Sequence, residues 1–140
     1  MNYYFWIKWT DAQRCEHVVG ILYYIKNTFY FRYNKEFQNP KNIPKGFNGI
    51  PSFGQLLGLC NYKLKKRVLH LHSSNELFPF FKMRIPGKKD EYIWKSYEIS
   101  KYDELKILSL TQAIIPTDSF SVEEINQDAI KDVEKMYIKK

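Results

Sequence analysis

Two cysteines, Cys15 and Cys60, are all that 140 residues offer, and they show no metal or redox spacing. That excludes a cysteine-built zinc site or a CxxC pair, and it suits thiols kept in a reducing compartment. No apolar run approaches the ~20 residues of a membrane span. The start, Met1-Asn2-Tyr3-Tyr4-Phe5-Trp6-Ile7-Lys8-Trp9, lacks a basic leader and a small-residue cleavage site. A signal peptide is therefore not expected, and a cytoplasmic protein is. The six glycines form neither GxGxxG nor the Walker pattern, and there is no GxSxG elbow or kinase catalytic loop. No repeat or low-complexity segment is present.

The few residues that could carry chemistry do not converge. His70-x-His72 near a strand end would put two imidazoles on one face, but a metal needs a third ligand. His17, Cys15 and Cys60 stand at no fixed spacing from them. The pairs Asp90-Glu91 and Glu123-Glu124 are adjacent, so they suit solvated faces rather than acid/base work on one substrate atom. The expectation is no catalytic residue, no metal and no cofactor.

What the chain does have is rings and positive charge. Aromatics make up 17% of it, chiefly 11 Tyr and 10 Phe. That composition argues against disorder and suits a thin core of large rings, or an interface. There are 22 Lys+Arg against 15 Asp+Glu, a net charge of +7. Residues 1–60 carry 7 basic and 3 acidic side chains, residues 61–101 carry 10 and 4, and residues 102–140 carry 5 and 8. The middle is the basic part. It favours an acidic partner, nucleic acid or an acidic protein face, unless the lysines serve solubility alone.

Periodicity predicts a β-meander first. Residues 2–9 place Tyr3, Phe5, Ile7 and Trp9 on one face; residues 17–24 form a second strand, and residues 28–33 a third after a Lys26-Asn27 turn. Gly20 inside a strand predicts a bulge or a close backbone approach. Residues 34–54, with three prolines and three glycines, read as a long loop, and loops of that length are often functional. A short helix is expected over 52–60 and a strand over 66–71. Ser73-x-x-Glu76, or Asn75, would cap a helix in the run Glu76–Pro86. Further helices are expected over 88–97, with Glu91 and Lys95 paired, and after Ser100-x-x-Asp103. Pro116-Thr117-Asp118 reads as a turn, Phe120 and Val122 as a short strand, and residues 126–139 as a C-terminal helix. The whole is one α+β domain over 1–140: a small antiparallel sheet covered by several short helices, with an extra helix at the end.

The best electrostatic patch is Lys63, Lys65, Lys66 and Arg67. On a strand, Lys63, Lys65 and Arg67 would share a side. With Lys82, Arg84, Lys88 and Lys89, and with Tyr62, Tyr92 and Trp94 interleaved, they could form a phosphate-tracking surface. Charge alone supplies only non-specific affinity.

In order and spacing, several short segments resemble the N-terminal subdomain of HipA-type toxin kinases and the HipS-like proteins. Val19-Gly20-Ile21-Leu22 matches a V-G-x-L strand, and Phe29–Tyr33 an x-F-x-Y strand. Ile43 to Pro51 stands where that family has an S-x-S-L-P loop, only loosely kept as Ile50-Pro51-Ser52. Leu77 to Pro86 resembles F-F-x-N-L-L-P, and Tyr102-Asp103-Glu104-Leu105 with Leu108 resembles D-x-F-x-L-L. The likeness covers about residues 17–122. Thr111–Phe120 departs from the family's Gly-rich turn and, with Glu76–Phe81, looks closer to the HipA-like segment that precedes a HIRAN domain. No kinase or HIRAN segment is present, so no ATP-site or catalytic residue carries over.

The resemblance implies a non-catalytic antitoxin-like module that binds and restrains a HipA-type kinase, with that kinase's helix-turn-helix DNA-binding protein as a further partner the family offers. The residues expected at that interface are Tyr62, Arg84, Tyr92, Trp94, Phe47 and Phe53, with core packing as the alternative for each ring and the favoured one for Trp94. Two other readings are a nucleic-acid-binding accessory domain and a small basic inhibitor from a phage or other mobile element.

Overall fold

A computed structural model describes residues 2–115 and 118–138, the last by its backbone alone. Pro116 and Thr117 of the expected turn and Lys139 of the expected C-terminal helix lie outside them. The fold is α+β, as the periodicity predicts. β1 (Tyr3–Thr10), β2 (Glu16–Ile25) and β3 (Thr28–Tyr33) form an antiparallel meander. The β2–β3 turn is Lys26-Asn27, both with positive φ (50° and 63°), the conformation a two-residue hairpin needs. β6 (His72–Ser74) extends the sheet beside β3 and β7 (Phe120–Glu124) beside β1, giving the order β6-β3-β2-β1-β7.

Alternation divides the side chains between two cores. Phe5, Ile7, Val19, Leu22, Phe29, Phe31 and Tyr33 enter the larger one. Tyr4, Ile21 and Tyr23 point the other way, under Ile125, Val133 and Tyr137 of the C-terminal segment. That segment is a helical turn at 127–129, α5 (Ile130–Val133) and a wider turn to Ile138. So both sheet faces are covered, the second one by the tail.

Gly20 fulfils its expected role. The β1–β2 register slips from Ile7↔Gly20 to Lys8↔Val18, a bulge that leaves Val19 over. A Cβ on Gly20 would stand 2.6 Å from Phe31 Cζ and 2.9 Å from the Arg32 carbonyl oxygen. Gly20→Ala should therefore cost about 1–3 kcal/mol by overpacking. Urea unfolding measures it, and a variant as stable as the parent contradicts the close approach.

The 34–54 connection is ordered by its own side chains. Asn34 and Asn39 accept hydrogen bonds from the amides of Glu36 and Lys41 and start two short helical turns. Two-residue strands β4 (Gly49–Ile50) and β5 (Gly54–Gln55) pair with each other. The buried Tyr33 hydroxyl accepts from the Ile50 amide (2.8 Å) and donates to the Gly54 carbonyl (2.6 Å), tying this hairpin to the sheet. Burial pushes the Tyr33 phenol up to about 12.

Several expected elements shift. No helix runs over 52–60: a single turn at Pro51–Phe53 is followed by β5, and Gly54 (φ 88°) and Gly58 (φ 82°) take conformations that end helices. Residues 66–71 are not a strand. α1 (Asn61–Leu69) occupies this region, because Leu64 and Val68, one turn apart, bury against β3 and the turn at 35–38. Ser73 belongs to β6, and the helix after it, α2 (Pro79–Lys82), begins at its proline with Phe78 in the cap position, so neither Ser73 nor Asn75 caps it. α3 (Glu91–Trp94) is shorter than expected, although Glu91 and Lys95 do pair at 3.3 Å. α4 (Glu104–Thr111) is capped by Asp103, whose carboxylate accepts from the Leu105 and Lys106 amides.

Candidate basic and aromatic site

The residues expected to meet a partner separate sharply by burial. Tyr62 (70% exposed) and Tyr92 (80% exposed) are on the surface. Phe47, Phe53, Trp94 and Arg84 are in the core and are not surface groups. Each has an internal reason. Phe53 stacks on Phe31 at 3.8 Å between ring centres, and Phe47 packs on Trp9, Phe37 and Phe120. Trp94 meets Tyr102 edge-on and donates its indole N–H to the Lys88 carbonyl. Arg84 donates to the carbonyls of Ala113 and Phe120 and to both carboxylate oxygens of Asp118.

The basic patch also changes shape. Lys63, Lys65, Lys66 and Arg67 lie on a helix, so they no longer alternate between two sides. Lys63, Lys66, Arg67 and His70 follow the i, i+3, i+4, i+7 spacing of one helical stripe. Tyr62, Lys65 and Leu69 make a neighbouring ridge. The Lys66 ammonium lies over the Tyr62 ring at 5.4 Å, and Leu69 is 38% exposed. Among the described residues none of these cations is in a salt bridge; Arg67 instead donates to the Gln55 carbonyl at 2.6 Å. Lys82, Lys88 and Lys89 are exposed on other elements. Lys82 shares a cleft with Glu76, Asp103 and Glu104 rather than with the α1 stripe. In that cleft burial pushes the Glu104 carboxyl up, and the Lys82 charge opposes the shift.

A second feature lies behind α1, where Phe53, Lys63, Lys66, Arg67, His70 and His72 line a cleft of about 340 Å³. The two imidazoles meet at right angles, 4.4 Å apart. His72 Nε2 is buried with no hydrogen-bond partner. Burial, the His70 ring and the Arg67 charge push His72 down to about 4, so the ring is neutral near neutral pH. Pairing the two histidines was legible from His70-x-His72, but not on a common strand face, since His70 ends α1 and His72 opens β6. The helical spacing of Leu64 and Val68 was the signal that could have located the stripe.

Among the described residues no three His, Cys, Asp or Glu are grouped to hold a metal, and no helix is long and apolar enough to cross a membrane. Cys15 and Cys60 are both exposed free thiols. Compared with models of protein families, with curated proteins and with solved structures, the chain matches none.

Proposed function

We propose that this protein is a non-catalytic binding module of the HipS-like kind, which docks on a HipA-type kinase and restrains it. The observation that carries the reading is the exposed ridge of α1, where Tyr62 and Leu69 stand beside Lys65 and Lys66, neither of which is in a salt bridge among the described residues. An exposed tyrosine flanked by free ammonium groups suits an acidic protein face: the ring supplies contact area at low entropic cost, and the lysines steer the encounter. Arg84 and Trp94 act indirectly, by holding the core beneath the surface elements.

The test is to mix the purified chain with a HipA-type kinase encoded in the same genome, and to measure complex formation and autophosphorylation. The expected result is a stable complex, loss of kinase activity, and weakening by about 2 kcal/mol or more for Tyr62→Ala if the ring is the anchor. A kinase that neither associates nor loses activity removes this reading.

A further inference from the structure

We propose that the cleft between α1 and β6 is a binding site for a phosphate monoester group, held by Lys63, Lys66, Arg67, His70 and His72. This inference is independent of the kinase reading, because it needs no protein partner, although Lys66 and His70 border both the cleft and the Tyr62 ridge.

Three observations converge on it. The first is charge. Residues 37–75 contain no Asp or Glu, and every lining residue of the cleft comes from that stretch. Like charges at i, i+3 and i+4 repel along a helix, so the stripe of Lys63, Lys66 and Arg67 is unfavourable by itself. A bound dianion would reverse the sign of that contribution. The second is an unmet hydrogen bond. Buried polar atoms are nearly always satisfied, yet among the described residues the buried His72 Nε2 has no partner, and His72 is one of the residues lining the cleft. A phosphate oxygen is a suitable acceptor for an N–H there. The third is rigidity and size. Phe53, packed on Phe31, forms the floor, and the His72 ring is set 4.9 Å from Phe53 and 4.4 Å from His70. Arg67 is already anchored on Gln55. At about 340 Å³ the space suits a small ligand rather than a large cofactor.

The groups divide the work. Lys63 and Lys66 supply mobile ammonium donors at the mouth, and Arg67 a planar donor fork. The exposed His70 and the half-buried His72 complete the lining. A phosphate dianion beside His72 favours its protonated form, so binding should draw the His72 pKa up from about 4.

The test is an NMR titration of the imidazole and α1 amide signals with inorganic phosphate, adenosine monophosphate and O-phosphoserine, at constant ionic strength set by chloride. Saturable shifts at His70, His72 and residues 63–67 are expected, with a raised His72 pKa in the complex. Lys63→Ala combined with Lys66→Ala should weaken binding at least about tenfold. Both lysines are exposed, so the variant should melt like the parent. Preference for the nucleotide would indicate a nucleotide source, and preference for phosphoserine a phosphorylated side chain; either supports the site. Shifts that grow linearly and equally with chloride, or equal affinity in the double variant, overturn it. So does salt-sensitive binding of a single-stranded oligonucleotide with no response to any monoester, since diffuse charge then suffices.

Discussion

Arg84→Ala is expected to destabilise the fold by about 3–5 kcal/mol, a large share of the total stability of a domain this size. The side chain is 3% exposed and makes a connected set of bonds. Its Nε donates to the Ala113 carbonyl (2.7 Å), and Nη2 donates to the Phe120 carbonyl (3.0 Å) and to Asp118 Oδ1 (2.8 Å). The guanidinium also sits over the rings of Phe80 (5.0 Å) and Phe120 (5.9 Å). It therefore joins the segment after α2 to the end of α4 and the start of β7, adding to the Phe80–Phe120 ring contact and to the hydrogen bond from the Val122 amide to the Gln112 carbonyl. Truncation would strand buried carbonyls and empty the space the guanidinium fills beside two rings at once.

Arg84→Met keeps an apolar side chain in the space beside Phe80 and Phe120 and should cost less than Arg84→Ala. Asp118→Asn should cost least, because Asp118 is 30% exposed and the amide oxygen of an asparagine can still accept from the Arg84 guanidinium. Denaturant melts of the three give the order. An Arg84→Ala variant within about 1 kcal/mol of the parent defeats the claim.

The same pair sets an acid limit. Burial pushes the Asp118 carboxyl up, but the Arg84 hydrogen bonds, the Phe120 amide and the Arg84 charge outweigh it, so the net shift is downward. A lowered carboxylate stabilises the fold above its unfolded pKa, near the ordinary 3.8, and loses that contribution as pH falls through the folded value. Asp118→Asn should flatten the stability profile in that acid range only.

Phe53→Ala is the second large effect, about 3–5 kcal/mol, the usual cost of emptying a buried phenylalanine site. Phe53 is 2% exposed. It stacks on Phe31 (3.8 Å, 11° between planes) and meets Phe78 edge-on (5.0 Å) and His72 at 4.9 Å. It is the ring through which the 34–54 connection, β3, β6 and the start of α2 touch. Its removal should also admit water to His72. In the parent, His72 is depressed to about 4, first by burial. An unfolded chain binds a proton there below the ordinary 6.5 while the fold does not, so stability should decline as pH falls from 6.5 toward 4. In Phe53→Ala the His72 pKa should move back up and that slope should shrink. Unfolding free energies and a ring-proton titration measure the two halves. A loss below about 1 kcal/mol, or an unmoved His72, contradicts the role given to Phe53.

The meander was legible in the order of residues because a strand writes itself locally. Tyr3, Phe5 and Ile7 alternate, Phe29, Phe31 and Tyr33 alternate, and Lys26-Asn27 supplies the turn between β2 and β3. The bulge at Gly20 and the return of Phe120 and Val122 as a strand were legible for the same reason. α1 was not. Lys63, Lys65 and Arg67 also alternate, and only the burial of Leu64 and Val68 against β3 shows that the true period is the helical one.

The candidate site was half legible. The order of residues already concentrates the positive charge over 61–101, with Tyr62 within it and two histidines close by. Which rings and cations face out depends on long-range packing. Arg84 and Lys82 are two residues apart and equally basic, yet Arg84 is buried because its carboxylate arrives from Asp118, 34 positions later. Phe53 and Phe47 read as loop aromatics until Phe31 and Trp9 supply the surfaces that bury them. A side chain's composition states what it can bond, but burial depends on a partner that the fold brings from elsewhere in the chain.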